Sequence, residues 1–201
     1  MDYSVTKTLY MKSMVFFIAI LSSTVFTGLQ AQTDTQKGFG KGSLTLPGNS
    51  VITGYIKDNM KCDASVVLLT ETGIKKRYAG TEIVAVTIDS CRFICIKGDF
   101  FRVLCDGELN FLQKLSDASD KAAYNGNELL FMNGTEGKLN DYFFYEKSQQ
   151  QLHLLTRKNL AAVVNGAFNN CIAAIDKVKE SGSDIARLGQ AVEIYNRRSG
   201  K

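Results

Sequence analysis

The feature that most constrains this chain is a change of period at Thr156. From Ser43 to Thr156, short runs rich in Val, Ile, Phe and Tyr alternate with Gly, Asn and Asp, the pattern of strands punctuated by turns. Beyond Thr156, Leu160, Val163, Val164, Ala167, Phe168, Cys171, Ile172, Ile175 and Val178 recur at helical spacing. Asn165-Gly166 is a place where this stretch divides into two helices. Gly182-Ser183 ends it, and a last helix carries Ile185, Leu188, Val192 and Tyr195 on one face. The chain is therefore predicted to be α+β: an antiparallel β-rich meander, a sandwich or a strongly curved sheet, followed by C-terminal α-helices. Strands are expected near 51–57, 64–70, 74–79, 82–88, 91–97, 99–105, 108–114, 128–132, 141–147 and 150–155.

Local chemistry sets the turns. Glu71-Thr72-Gly73, Asp89-Ser90 and Gly98-Asp99 read as links between runs, and Asp106-Gly107 as a tight hairpin turn with positive φ. That turn would place Cys105 opposite Glu108 and Val103 opposite Asn110, within an up-and-down meander from 82 to 114. Several strands are apolar on both faces, as in Phe93-Ile94-Cys95-Ile96 and Tyr142-Phe143-Phe144-Tyr145. A sheet with one wet face alternates more cleanly, so this one must be covered on both sides. Residues 115–127 form a polar connection, with a shorter one at 133–140. Loops of this length on a strand scaffold are where binding residues tend to sit.

The first residues carry an address. No charged residue occurs from Ser13 to Thr33; Met14 to Leu21 is unbroken apolar, Lys12 precedes it and Ala31 follows. A basic flank, a short apolar run and a small residue are the parts of a secretory signal peptide, assigned to 1–31. The alternative is an uncleaved anchor, and Met11 is an alternative start. Residues 32–42, polar and Gly-rich, read as a flexible leader. The domain plan is then 43–156 for the β-rich domain and 157–201 for helices packed on it. The expected location is periplasmic or extracellular, with no transmembrane span once the signal is removed.

Composition excludes more than it proposes. With 45% hydrophobic and 22% charged residues, the chain is not intrinsically disordered. A net charge of +4 is too small to announce nucleic acid as a partner. The basic triplet Lys75-Lys76-Arg77 splits across a strand, Lys76 going to the opposite face, so no concentrated patch is expected and the charges read as edge-strand protection. The single His153 rules out any metal site or relay that needs two histidines. Five cysteines, Cys62, Cys91, Cys95, Cys105 and Cys171, include no Cys-x-x-Cys. An exported protein permits disulfides, yet small buried thiols are the preferred reading.

Candidate chemistry is sparse. His153 with Cys171 could form a Cys–His hydrolase, but Cys171 lies on the apolar helical stripe. Asp99, Asp106 and Glu108 could contribute a glycosidase pair, against the plainer reading of solvated turn acids. Gly40-Lys41 lacks the residues of a phosphate loop, and Asp117-Ala118-Ser119-Asp120 lacks those of a calcium loop. Asn133-Gly134-Thr135 is either a glycosylation acceptor or a plain turn. No catalytic, cofactor-binding or metal residue is assigned.

Gly54-Tyr55-Ile56-Lys57, Arg77-Tyr78 with Glu82-Ile83, Phe100-Phe101-Arg102-Val103-Leu104, Gly107-Glu108-Leu109-Asn110, Tyr145-Glu146-Lys147, Phe168-Asn169-Asn170-Cys171 and the closing Tyr195-Asn196 occur in that order. The chain resembles a family of uncharacterised exported proteins of Bacteroidota. The resemblance implies a strand-rich domain with C-terminal helices in the cell envelope, and no activity. One departure is Phe101-Arg102, where the family's pair is Phe-Leu. The expected role is a non-enzymatic binding or assembly module with an envelope protein or polymer as partner, using loops such as 115–127. The alternatives are a hydrolase of envelope polymers and a structural domain docking on a larger envelope partner.

Overall fold

The computed structural model describes residues 37–119, 123–125, 128–131, 134–169, 171–182 and 184–199. Residues 1–31, where a signal peptide is expected, lie outside them. The strands are β1 (Phe39–Thr45), β2 (Val51–Asn59), β3 (Ser65–Leu69), β4 (Lys75–Ala79), β5 (Ala85–Ile88), β6 (Cys91–Ile96), β7 (Asp99–Cys105), β8 (Leu109–Lys114), β9 (Ala123–Asn125), β10 (Glu128–Phe131), β11 (Tyr142–Glu146) and β12 (Gln151–Leu155). Ten of them form one sheet in the order β12-β11-β8-β7-β6-β5-β1-β2-β3-β4, and β9 and β10 pair separately. Every pairing is antiparallel. A short helix α1 (Met60–Asp63) interrupts the β2–β3 connection. The α+β class, the strand-rich meander and the C-terminal helices are as the period change predicts.

The sheet curls strongly. Leu44, Ile56, Val66, Leu68 and Tyr78 from β1–β4 share one buried cluster with Phe93 and Phe100 of β6 and β7, although several strands separate them in the sheet. A single sheet brings such strands together only by wrapping around them. The wrap closes at Gly80, just after β4, where a side chain would run into the Gly98 carbonyl of the β6–β7 turn. At the other end, α2 (Leu160–Ala167), α3 (Ile172–Glu180), a 3₁₀ turn (Ile185–Arg187) and α4 (Gly189–Ser199) follow. They bury Leu109, Phe111, Phe144 and Leu155 against Val164, Phe168, Cys171, Leu188 and Val192. The opposite face of the same strands carries a third cluster around Phe101, Leu112 and Phe143, all fully buried. Both faces are covered there, which explains the two-sided apolar runs.

Four expectations need correction. The stretch 32–42 is not leader throughout: β1 starts at Phe39 and is paired on both sides, with β2 and β5. Gly-rich composition signals flexibility only when no ladder is available, and here both neighbours supply one. The second turn of the meander is Lys97-Gly98, with φ of 50° and 86°, because Ile96 pairs with Asp99; two consecutive positive φ values make the tight hairpin turn. The third turn is not a two-residue hairpin. Cys105 faces Phe111 and Val103 faces Leu112, with Leu104 as an extra residue on β7. This bulge turns Cys105 from the Phe101 face to the helix face. Asn165-Gly166 stays helical within α2, and the break falls between Ala167 and Ile172.

Candidate functional site

The most unusual chemistry is a fully buried ion pair. The Lys97-Gly98 turn makes Asp99 the first residue of β7, and the register Phe101↔Lys114 sets Lys114 on the neighbouring strand and the same face. Lys114 Nζ lies 3.1 Å from Asp99 Oδ2, and both side chains have 0% exposure. Such a pair is tolerated only if the remaining donors and acceptors are satisfied, and they are. Asp99 Oδ1 accepts from Ala118 N at 2.7 Å and Ser116 Oγ at 3.4 Å. Its Oδ2 accepts from Thr135 N at 2.7 Å and Thr135 Oγ1 at 2.8 Å. Lys114 Nζ donates to the carbonyls of Thr135, Glu136 and Gly137 at 2.8, 3.3 and 3.2 Å. Among the described residues no buried side-chain polar atom lacks a partner. A carboxylate with its lone pairs occupied and no solvent access acts as a clamp on the chain segments that it bonds.

Asp99 is thus not a solvated turn acid: shifting the turn by one residue moves it from an exposed position into a strand. Lys114 was not singled out by sequence reasoning; its only signal is a lone cation ending the uncharged strand run Leu109-Asn110-Phe111-Leu112-Gln113.

The clamp holds two pieces of chain. Leu115, Ser116 and Ala118 are buried, with Ser116 Oγ accepting from Phe100 N at 2.7 Å. The first part of the polar connection 115–127 is therefore core, not free loop. On the other side Gly134 N donates to Lys97 O at 2.8 Å, and Gly134 packs directly against Ser119. Ala118, ahead of β9, and Thr135, after β10, thus bond the same carboxylate.

The remaining candidates separate in space. His153 Nε2 lies 3.4 Å from Glu146 Oε1 on the neighbouring strand β11, half-exposed. Cys171 is buried among Val164, Phe168 and Ala174, so the two do not form a dyad. Asp106 is held in ion pairs by Arg92 and Lys147. Burial favours its protonated form, but the Lys147 hydrogen bond and the Arg92 charge outweigh this and hold its carboxyl below the usual range. Glu108 and Glu146 line one cleft of about 160 Å³, below the 300–1,000 Å³ of clefts that bury a ligand. A more open cleft of about 730 Å³, floored by Tyr142, Leu155 and Ile185, holds Asp141 and Asp184; Lys138 N and Arg187 already occupy these carboxylates. Asp117 accepts from Ser119 Oγ and N, which keeps its carboxyl below the usual range. Asn133 lies outside the described residues, and Thr135 spends its hydroxyl on Asp99. All five cysteines are free thiols. Among the described residues no group of three His, Cys, Asp or Glu is placed to hold a metal ion.

Two findings were invisible in sequence. Asn196 stitches α4 to β8: its Oδ1 accepts from Leu109 N at 3.0 Å and its Nδ2 donates to Leu109 O at 2.9 Å. The segments 107–110 and 195–196 thus touch. The second finding is a basic face. Cross-strand register aligns Lys41, Tyr55, Leu69 and Lys75 in one row across β1–β4, and Phe39, Lys57, Val67 and Arg77 in the next. Lys76 takes the face opposite Lys75 and Arg77, as alternation predicts, and the basic face is assembled by distant strands, not by the triplet. The placement of Lys75–Ala79 at the sheet edge is as expected. Comparison of the chain with protein-family models, with curated proteins and with solved structures finds no match.

Proposed function

We propose that this chain is an exported, non-enzymatic binding module of the cell envelope, and that it engages its partner through the β9–β10 hairpin. One observation carries the reading. A buried carboxylate and a buried ammonium, costly to place in a core, tie together the chain ahead of and the chain after one hairpin that pairs separately from the ten-stranded sheet. A rigid base lowers the ordering cost of a recognition element. The apolar run after Lys12 supports export, and no helix among the described residues is long and apolar enough to cross a membrane.

The test is a photo-crosslinking residue at Tyr124 on β9, with the cells then analysed by mass spectrometry. One discrete envelope protein or polymer captured from Tyr124, and not from Ala161 on α2, is the expected result. A second arm replaces 123–131 with a Gly/Ser tract of equal length. The melting temperature should hold, because the clamp residues lie outside the replaced stretch, and capture should vanish. Equal capture from both positions, or capture that survives the replacement, overturns the reading, as does recovery of the chain from the cytoplasm.

A further inference from the structure

Residues 37–80 contain seven Lys or Arg and three Asp or Glu, a surplus equal to the whole chain's net charge of +4. The rest of the chain is neutral in sum. The register of β1–β4 then sorts this surplus by face. The face turned away from the curled core carries Lys41, Lys57, Lys75 and Arg77, and no Asp or Glu of these strands shares it. All four cations are exposed. Arg77 is paired with Asp63, whereas Lys41, Lys57 and Lys75 form no ion pair with any described residue. Neighbouring strands lie about 4.8 Å apart, so the cations spread over roughly 15 Å of one surface.

We infer that this outer face docks on an anionic phospholipid surface. The charge is predominantly positive, and three of its four cations have no carboxylate partner among the described residues, which is the condition for attraction to anionic headgroups, worth a further contribution for each Lys near the surface. The shape selects a planar partner. The face is the outside of a curl whose inside holds the core, so it offers no channel to track a nucleic-acid strand. One aromatic that could stack a base is already capped, with Lys75 Nζ 5.8 Å from the centre of the Phe39 ring. Tyr55, half-buried between Lys41 and Leu69, places an amphipathic ring among the cations, as suits a headgroup layer. The inference uses a different face from the hairpin and stands without it.

The chain has no Trp, so Tyr55→Trp reports from this face alone, wherever the N-terminal apolar run goes. The full chain carrying Tyr55→Trp is titrated with brominated vesicles of neutral phosphatidylcholine, with or without about 30% phosphatidylglycerol, at low salt and at about 0.5 M NaCl. Quenching is expected only with the anionic vesicles and is lost at high salt. Lys41→Gln with Lys57→Gln and Lys75→Gln should weaken binding roughly 100-fold. Lys138→Gln with Lys158→Gln and Lys179→Gln, an equal loss of charge elsewhere, should leave it within about twofold. Equal quenching by neutral vesicles, no quenching, the same loss in both triple variants, or displacement by an equimolar single-stranded oligonucleotide each overturns the inference. An unchanged circular dichroism melt confirms that the triple variants are folded.

Discussion

At Gly107 the space a side chain would take is already filled by the Asn196 amide. The glycine is required by close approach and not by conformation, since its φ lies outside the positive region. Gly107→Ala should cost about 1–3 kcal/mol through overpacking and the loss of the Leu109 hydrogen bonds. The same change in an Asn196→Ala background should cost well under half of that, and denaturant melts of the four-member cycle measure the difference. The Asp99–Lys114 pair makes a second prediction. Asp99→Asn or Lys114→Met should each cost about 3–5 kcal/mol, because each strands a buried charge. Asp99→Leu with Lys114→Met should not recover stability, as an isolated pair would, because the amides of Ala118 and Thr135 and three carbonyls lose their partners as well. Asp106 gives the pH dependence. Its folded pKa is lowered by Lys147 and Arg92 against the opposing effect of burial. Its contribution is therefore complete above the unfolded value of about 3.9 and is lost as pH falls through the folded one. The stability advantage of the wild type over Asp106→Asn, followed by acid titration of the melting temperature, should be constant above about pH 5 and shrink toward pH 3.

Elements succeed or fail by what their ends meet. Lys97 holds φ of 50° in the β6–β7 turn, a conformation that costs most L-residues about 1–2 kcal/mol and Asn less. Lys97→Asn should raise stability by a few tenths to about 1 kcal/mol, read from the denaturant midpoint, while its carbonyl still receives Gly134 N. The C-terminal helix is the opposite case. α4 supplies Leu188's neighbours Ala191 and Val192 to the cluster over Leu109 and Phe111, and Asn196 to the β8 backbone. Ending the chain before Gly189 should leave a state that binds a hydrophobic dye and lacks a cooperative melt. A cooperative melt within a few degrees of the full chain would show that the sheet stands without this helix.

For the whole molecule, accessibility of the thiols distinguishes a packed core from a reactive site. Cys62 is exposed, while Cys105 and Cys171 are buried. Burial and the nearby Glu193 carboxylate push the Cys105 thiol up, and burial with Asp99 does the same for Cys95. Native alkylation at neutral pH should mark Cys62 first and reach Cys95, Cys105 and Cys171 only after unfolding; early labelling of Cys171 would restore a catalytic reading of that residue. The strands, the period change and the helical end were legible from side-chain alternation alone, because a backbone's period of 2 or 3.6 is written into every few residues. The register was not. A one-residue shift at Gly98 decided whether Asp99 met water or Lys114, and the bulge at Leu104 decided which layer Cys105 joined. The sequence by itself determined which elements this chain makes. The Asp99–Lys114 clamp, the Asn196 stitch and the basic face were decided only by the tertiary structure. Each depends on residues that lie far apart in sequence and meet only through strand pairing or helix packing, and local pattern carries no information about that distance.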